Sequence, residues 1–143
     1  MKIVDLNLLV YATNSDAPDH ELARKWWEHA IASDETVGLA WVVLLGYLRL
    51  TTRPGLLPRP LSVSQATGVI DEWLDQPVTI VVLPGERHWS ILKSLLQSIG
   101  AAGNLTTDAH LAALAIERSA TLYSSDRDFA RFAELEYRNP LQV

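Results

Sequence analysis

There is no cysteine among the 143 residues. That excludes a disulfide scaffold and a thiolate zinc site, and it suits a reducing cytoplasm. Basic residues are outnumbered, with 12 Lys and Arg against 17 Asp and Glu and a net charge of −5. Proteins that grip nucleic acid over a broad surface are basic, so any such contact here is local or assisted by metal. No stretch approaches the ~20 apolar residues of a membrane span. The opening run, Met1 to Ala12, is apolar but is interrupted by Asp5 and Asn7, which fits a strand and a turn better than a signal peptide. Internal repeats and low-complexity segments are missing too. The four histidines, His20, His29, His88 and His110, lack zinc-motif spacing and read as surface groups.

What remains is a hydrophobic fraction of 48%, enough for one domain, 1–143, with a sizeable core. Short β-branched runs alternate with helical patterns. Strands are expected at Lys2 to Val4, Thr36 to Leu39, Val78 to Leu83 and Thr121 to Tyr123, with a last edge strand at Leu135 to Arg138. The continuous run Val78 to Leu83 suggests a strand covered on both faces. Between the strands, Asp19 caps a helix reaching Ala32, and a very apolar helix fills Ala40 to Thr52. Ser62 or Ser64 opens a helix to Asp75 whose inward face holds Val69, Ile70, Trp73 and Leu74. Glu86 to Ile99 is amphipathic through Trp89, Leu92, Leu95, Leu96 and Ile99, with Gly100 as its cap. Thr106 or Thr107 caps an alanine-rich helix running to Glu117, with Asp108 in its first turn. Alternation of this kind predicts an α/β fold, a three-layer α/β/α sandwich around a mostly parallel five-stranded sheet.

In such a sheet the carboxyl tips of the strands share one edge, where open α/β folds bind ligands. Asp5 follows the first strand, and Asp126 and Asp128 follow the fourth. Asp108 opens the helix between. Each alone has a bland reading: Asp5 as a helix cap, the Asp126-Arg127-Asp128 turn as a solvated loop. Together they would crowd like charges, which repel unless a cation lies between them. Oxygen ligands suit Mg2+ or Mn2+, and such ions polarise phosphodiesters without a cysteine or histidine nucleophile.

The blocks Ile3-Val4-Asp5-Leu6-Asn7, Trp41 to Thr52, Gly103 to Ala115, Ala120 to Phe132 and Asn139-Pro140-Leu141 together resemble PIN-domain ribonucleases, and closely the toxin subunits of VapBC toxin–antitoxin pairs. The resemblance spans essentially the whole chain. It implies a Mg2+- or Mn2+-dependent endoribonuclease acting on structured RNA such as tRNA or rRNA. It also implies a cytoplasmic toxin, homodimeric and neutralised by a VapB-type antitoxin. By that match Asp5, Asp108 and Asp126 are catalytic acids and metal ligands, Asp128 is the outer member of the cluster, Ser124 is a supporting hydroxyl, and Asn7 helps orient Asp5.

One position departs from the pattern. The family carries a glutamate in the helix after the second strand, where this chain has Gly46. Glycine inside a helix costs roughly 1 kcal/mol relative to alanine. Either something packs tightly on the backbone there, or a side chain has been lost. Asp34 and Glu35 lie before the second strand and are poorly placed to compensate. An attenuated nuclease follows as the expectation, with a catalytically silent RNA- or antitoxin-binding module as the rival. A phosphoacceptor receiver domain is disfavoured, since its acid pair and late lysine are missing. Arg49, Arg53 and Arg127 are candidates for phosphate contacts, while Arg59 reads better as a solubilising charge or a salt bridge. The five tryptophans exceed one small core, so the surface around Trp26, Trp27, Trp41 or Tyr47 is expected to pair with another copy or an antitoxin.

Overall fold

The computed structural model describes residues 1–142. Five strands, β1 (Lys2–Val4), β2 (Val37–Ala40), β3 (Thr79–Val82), β4 (Thr121–Tyr123) and β5 (Glu136–Arg138), form one sheet in the order β3-β2-β1-β4-β5. Every neighbouring pair is parallel. Six helices connect them: α1 (Leu6–Thr13), α2 (His20–Ala32), α3 (Trp41–Thr52), α4 (Val63–Leu74), α5 (His88–Ile99) and α6 (Thr106–Glu117). The path moves outward from β1 to β3, then returns across the sheet to β4. Right-handed crossovers therefore put α1 to α4 on one face and α5 and α6 on the other. The packing agrees, since α1 lies against α2 and α3, α3 against α4, and α5 against α6. This is the three-layer sandwich that the alternating pattern predicts. Among the described residues, no helix is long and apolar enough to cross a membrane.

The core explains why α6 is so rich in alanine. Ala109 and the run from Leu111 to Ala115 are all buried. A helix enclosed on nearly all sides needs small residues where its neighbours come close, and large ones only where they leave room. Burying Leu111 or Leu114 contributes roughly 1.5–3 kcal/mol each. On the other face, Tyr47 and Trp73 meet edge-on with centroids 4.6 Å apart, and Trp27 lies 6.0 Å from Trp73. Two of the five tryptophans, Trp27 and Trp73, are thus core, while Trp41 and Trp89 are exposed. Trp27 and Tyr47 are buried and cannot form the expected surface. Trp26 is half-buried against Tyr123, and only Trp41 of that group is exposed, at 53%.

Several local expectations need revision. Ser62 opens α4 through a reciprocal pair of bonds, its Oγ accepting from the Gln65 N–H and its own N–H donating to Gln65 Oε1. Asp19 occupies the cap position of α2, but its side chain makes no capping bond. Neither Thr106 nor Thr107 caps α6; a 3-10 turn, Gly103–Leu105, runs straight into it. The β3 run is not covered on both faces, because β3 ends the sheet and Ile80 stays 40% exposed. Leu74, at the end of α4, is also exposed. In α5, Trp89 points outward and His88 takes the inward place. The first turn explains the shift. Glu117 accepts from the N–H groups of Gly85 and Arg87, so the helix starts at His88, and the inward phase runs through His88, Leu92, Leu95 and Ile99. Gly100 closes α5 at φ 76°, the left-handed turn that glycine adopts without penalty.

Candidate active site

Register brings the acids together. Val4 pairs with Tyr123 across β1 and β4, so Asp5 and Ser124 leave the sheet side by side. The Asp5 N–H continues the ladder to the Tyr123 carbonyl at 2.9 Å. Asp5 then does two things. Its Oδ1 accepts from the Leu6 N–H at 2.7 Å, capping α1, and its Oδ2 accepts from Ser124 Oγ at 2.7 Å. The bland reading of Asp5 as a cap is therefore correct and is not an alternative to the rim position.

Ser124 is the hub. It is fully buried. While donating to Asp5, its Oγ accepts from Asn7 Nδ2 at 3.2 Å and from the Asp126 N–H at 3.0 Å. Asn7 Oδ1 in turn accepts from the Ser125 N–H at 3.3 Å. Asn7 thus reaches Asp5 only through Ser124, pinning the start of α1 to the loop after β4. Asp126 Oδ1 accepts from the Asp128 N–H at 2.9 Å, which winds the 3-10 turn Arg127–Arg131 and sets both acids on one side.

Asp108 enters from the first turn of α6. One carboxylate oxygen each from Asp108, Asp126 and Asp128 lies within 4.8 Å of the others. The Asp108 carboxyl is pushed up to about 6, first by burial and then by the charges of Asp5, Asp126 and Asp128. A helix amino end ordinarily favours a carboxylate; here crowding wins. Burial also raises Asp5, against the hydrogen bonds from Ser124 and Leu6, with the Asp126 charge adding to the rise. Four acids from three distant stretches share one field. Hard oxygen donors, mutual repulsion and a carboxyl pushed up by its neighbours' charges are the donor chemistry that a divalent cation relieves. The resemblance puts Asp5 in the inner set and Asp128 outside it; by oxygen proximity, Asp128 belongs with Asp108 and Asp126.

Gly46 is buried in the middle of α3. A Cβ there would stand 2.8 Å from Leu6 Cδ2. The space of a side chain at 46 is thus taken by the residue next to Asp5. Glu35 gives no substitute, since it pairs with the amino terminus at 3.1 Å and with Lys2. Arg49, Arg53 and Arg127 are exposed and form no ion pair among the described residues. Arg127 adjoins Asp126, while Arg49 and Arg53 make no hydrogen bond to the acids. Of the two readings open for Arg59, the structure shows the salt bridge: it is bound to Asp16 at 2.9 Å and to Ser15 at 2.8 Å.

His88 departs from the surface position that its spacing suggests, and it does so together with His110. His88 is buried, and its Nε2 meets His110 Nδ1 at 2.9 Å, joining α5 to α6 two residues beyond Asp108. Burial lowers both imidazoles, against the Glu117 charge for His88 and with the help of His88 for His110. The inward phase of α5 was the signal for His88. Nothing in the sequence pairs it with a residue 22 positions away.

An acid cluster at the carboxyl rim of a parallel sheet ordered 3-2-1-4-5 defines the class, and the chain belongs to the PIN-domain family, whose pattern matches residues 2–135. Within it the chain falls among the VapC proteins. It is 43% identical to Ribonuclease VapC37 of Mycobacterium tuberculosis over 140 residues, covering 98% of this chain and 97% of that one. It is 42% identical to Ribonuclease VapC33 of the same organism, covering 99% of each. The solved structure of VapBC-1 from nontypeable Haemophilus influenzae superposes with a TM-score of 0.72 over 99% of this chain and 98% of that one, at 14% identity. That last likeness is one of fold.

Proposed function

We propose that this chain is a divalent-metal-dependent endoribonuclease, the toxin of a VapBC-type pair. The observation that carries the proposal is the convergence of Asp5, Asp108, Asp126 and Asp128, from three separate stretches, on one half-buried rim. The curated relatives are named ribonucleases, and the acid set supplies what phosphodiester hydrolysis requires of such a protein. A bound Mg2+ or Mn2+ polarises the phosphodiester and makes water a better nucleophile near neutral pH. The chain's own share is positional. Ser124 fixes Asp5 against Asp126, the first turn of α6 presents Asp108, and Arg127, with Arg49 and Arg53, pairs phosphate oxygens. With a net charge of −5, the footprint is small, which suits a folded loop of tRNA or rRNA presented as a shape. The toxin acts in the cytoplasm, as a homodimer, and is silenced by a VapB-type antitoxin; the VapBC-1 complex supports that pairing by fold.

Gly46 favours a second reading, a module that binds RNA or antitoxin without cutting. Incubating the purified chain with total RNA in Mg2+, Mn2+ or chelator separates the two. Site-specific cleavage that requires metal and disappears in Asp126→Asn supports the nuclease. RNA binding with no turnover in either metal rejects it for the module.

A further inference from the structure

The outer face of α5 differs from the other solvent faces. Trp89, Ser90, Lys93, Ser94, Gln97 and Ser98 follow one another at helical spacing, and all are exposed. Trp89 is 67% exposed. The solvated face of α2 carries charges of both signs, and there Arg24 pairs with Glu21 and Glu28. The α5 face has no acid, although the chain as a whole carries a net charge of −5. Lys93, one turn from Trp89, is its single charge. Among the described residues, the polar side chains of this face make no hydrogen bond or ion pair. The hydroxyls of Thr51, Thr52 and Thr67, by contrast, turn back onto helix carbonyls.

This face leads to the acid rim. An open groove of about 340 Å3 is lined by Trp89, Ser90, Lys93, Ser94 and Gln97. A second, of about 110 Å3, shares Ser94 and passes Ser98 to reach Arg131, with Glu134 on its wall. Arg131 stands 3.5 Å from Asp128 Oδ1. From Trp89 to Ser98 the track covers ~14 Å of helix. Its chemistry also differs from that of the start of α3. Trp41 has the apolar Leu45 beside it, as a protein contact does. Trp89 is surrounded by hydroxyls, an amide and an ammonium. A flat π-face among hydrogen-bonding groups, with a cation one turn away, matches a nucleotide: the base stacks on the indole and the phosphate meets the lysine.

The geometry points to a second RNA-contact surface on the outer face of α5, where one unpaired base stacks on Trp89 and Lys93 holds a phosphate. The strand runs from there along Ser94 and Ser98 to Arg131 and the acid rim. This rests on the ribonuclease reading above and deepens it, because it requires the substrate to carry an unpaired segment beside the cut. The charge of the face fits a polyanion, and its continuity with the rim fits the substrate itself.

Fluorescence anisotropy of a labelled, short single-stranded RNA of randomised sequence, titrated with the full chain in chelator, tests this without reference to cleavage. Trp89→Ala is expected to weaken binding at least about fivefold, the lower end of what losing one base–aromatic stack costs. Trp89→Leu keeps the apolar bulk without the π-face and is expected to bind as weakly. Trp89→Tyr restores the π-face and most of the affinity. Lys93→Gln is expected to lower the slope of log affinity against log salt by about 0.7, the share of one phosphate contact on a single strand, while Trp89→Ala leaves that slope unchanged. All four side chains change on an exposed face, so the thermal midpoint should stay put. Trp89→Ala binding RNA as tightly as wild type overturns the inference and leaves the nuclease reading intact. If the same variant then shifts the sedimentation coefficient, the face belongs to a second copy. A wild-type chain that binds no RNA in chelator also overturns the inference, and metal-dependent cleavage of total RNA decides the nuclease reading separately.

Discussion

Leu6 Cδ2 lies 2.8 Å from the point that a Cβ on Gly46 would occupy. The methyl and the missing side chain are complementary, and this accounts for a glycine in the interior of a helix. Gly46→Glu tests whether the absent acid limits catalysis. The exchange gains roughly 1 kcal/mol of helix propensity, but Leu6 must rotate away. The far end of a leucine side chain can do so, and Leu6→Ala removes the obstacle. RNA cleavage in Mg2+ is expected to rise roughly tenfold or more, the scale on which changes around a metal site act, and to rise further in the Leu6→Ala, Gly46→Glu double variant. Cleavage unchanged in both variants means that Gly46 does not attenuate the enzyme.

Asp108 sets a pH dependence whose sign is fixed. Its carboxyl titrates at about 6 in the folded chain against an ordinary 3.8. A raised acid favours the fold while protonated. Its contribution is therefore complete below the ordinary value and is lost as pH climbs through about 6. The lowered His88 and His110 act in the opposite direction over part of that range, so the informative quantity is a difference. In chelator, the thermal midpoint of wild type is expected to fall relative to Asp108→Asn between pH 4.5 and pH 7.5. Mn2+ at pH 7.5 is expected to raise the wild-type midpoint and leave Asp108→Asn nearly unchanged. Parallel pH profiles for the two proteins would remove Asp108 from the acid cluster's energetics.

Ser124 holds three partners with one buried oxygen. Ser124→Ala leaves the Asp126 N–H and Asn7 Nδ2 without their acceptor and Asp5 Oδ2 without its donor. Stranding buried polar groups costs about 1–3 kcal/mol. Urea unfolding is expected to show a loss of that size, together with reduced cleavage. Asn7→Ala removes only one of the three bonds and is expected to cost less. If Ser124→Ala unfolds at the wild-type urea concentration, the hub is ornamental.

Much of this was legible beforehand, for reasons that differ by element. Lys2 to Val4, a serine start for α4 and the Gly100 stop are local: β-branching, a hydroxyl at a helix start, and a glycine at a helix end each act within one turn, although the choice of Ser62 over Ser64 comes from the structure. The convergence of Asp5 with Asp126 was legible too, because parallel strands have only one carboxyl edge. What stayed hidden was non-local. His88 meets His110 through the packing of α5 on α6. Trp89 turns outward because a carboxylate 28 residues later, Glu117, fixes where α5 begins. Ile80 is exposed because β3 ends the sheet, and sheet order is not written in any one stretch. Asp128 joins Asp108 through a 3-10 turn whose closing bond depends on the Asp126 side chain.

The exposed start of α3 gives a last prediction. Trp41 is 53% and Leu45 54% exposed, one helical turn apart on the same face, while Trp27 and Tyr47 are sealed in the core. Two large apolar side chains left adjacent in water mark a contact surface when their neighbours are polar. If the proposed homodimer forms through this face, Leu45 enters a water-free interface. Leu45→Asp then removes apolar burial worth about 1–2 kcal/mol and leaves a desolvated carboxylate in its place. Each 1.4 kcal/mol is a factor of ten in affinity, so the dimer dissociation constant is expected to rise at least about tenfold. Because Leu45 is exposed in the single chain, the thermal midpoint of the dilute protein should hardly move. Sedimentation velocity at micromolar concentration reads the result. A wild-type chain that sediments as a monomer, or a Leu45→Asp chain that dimerises as strongly as wild type, shows that this face serves no self-association.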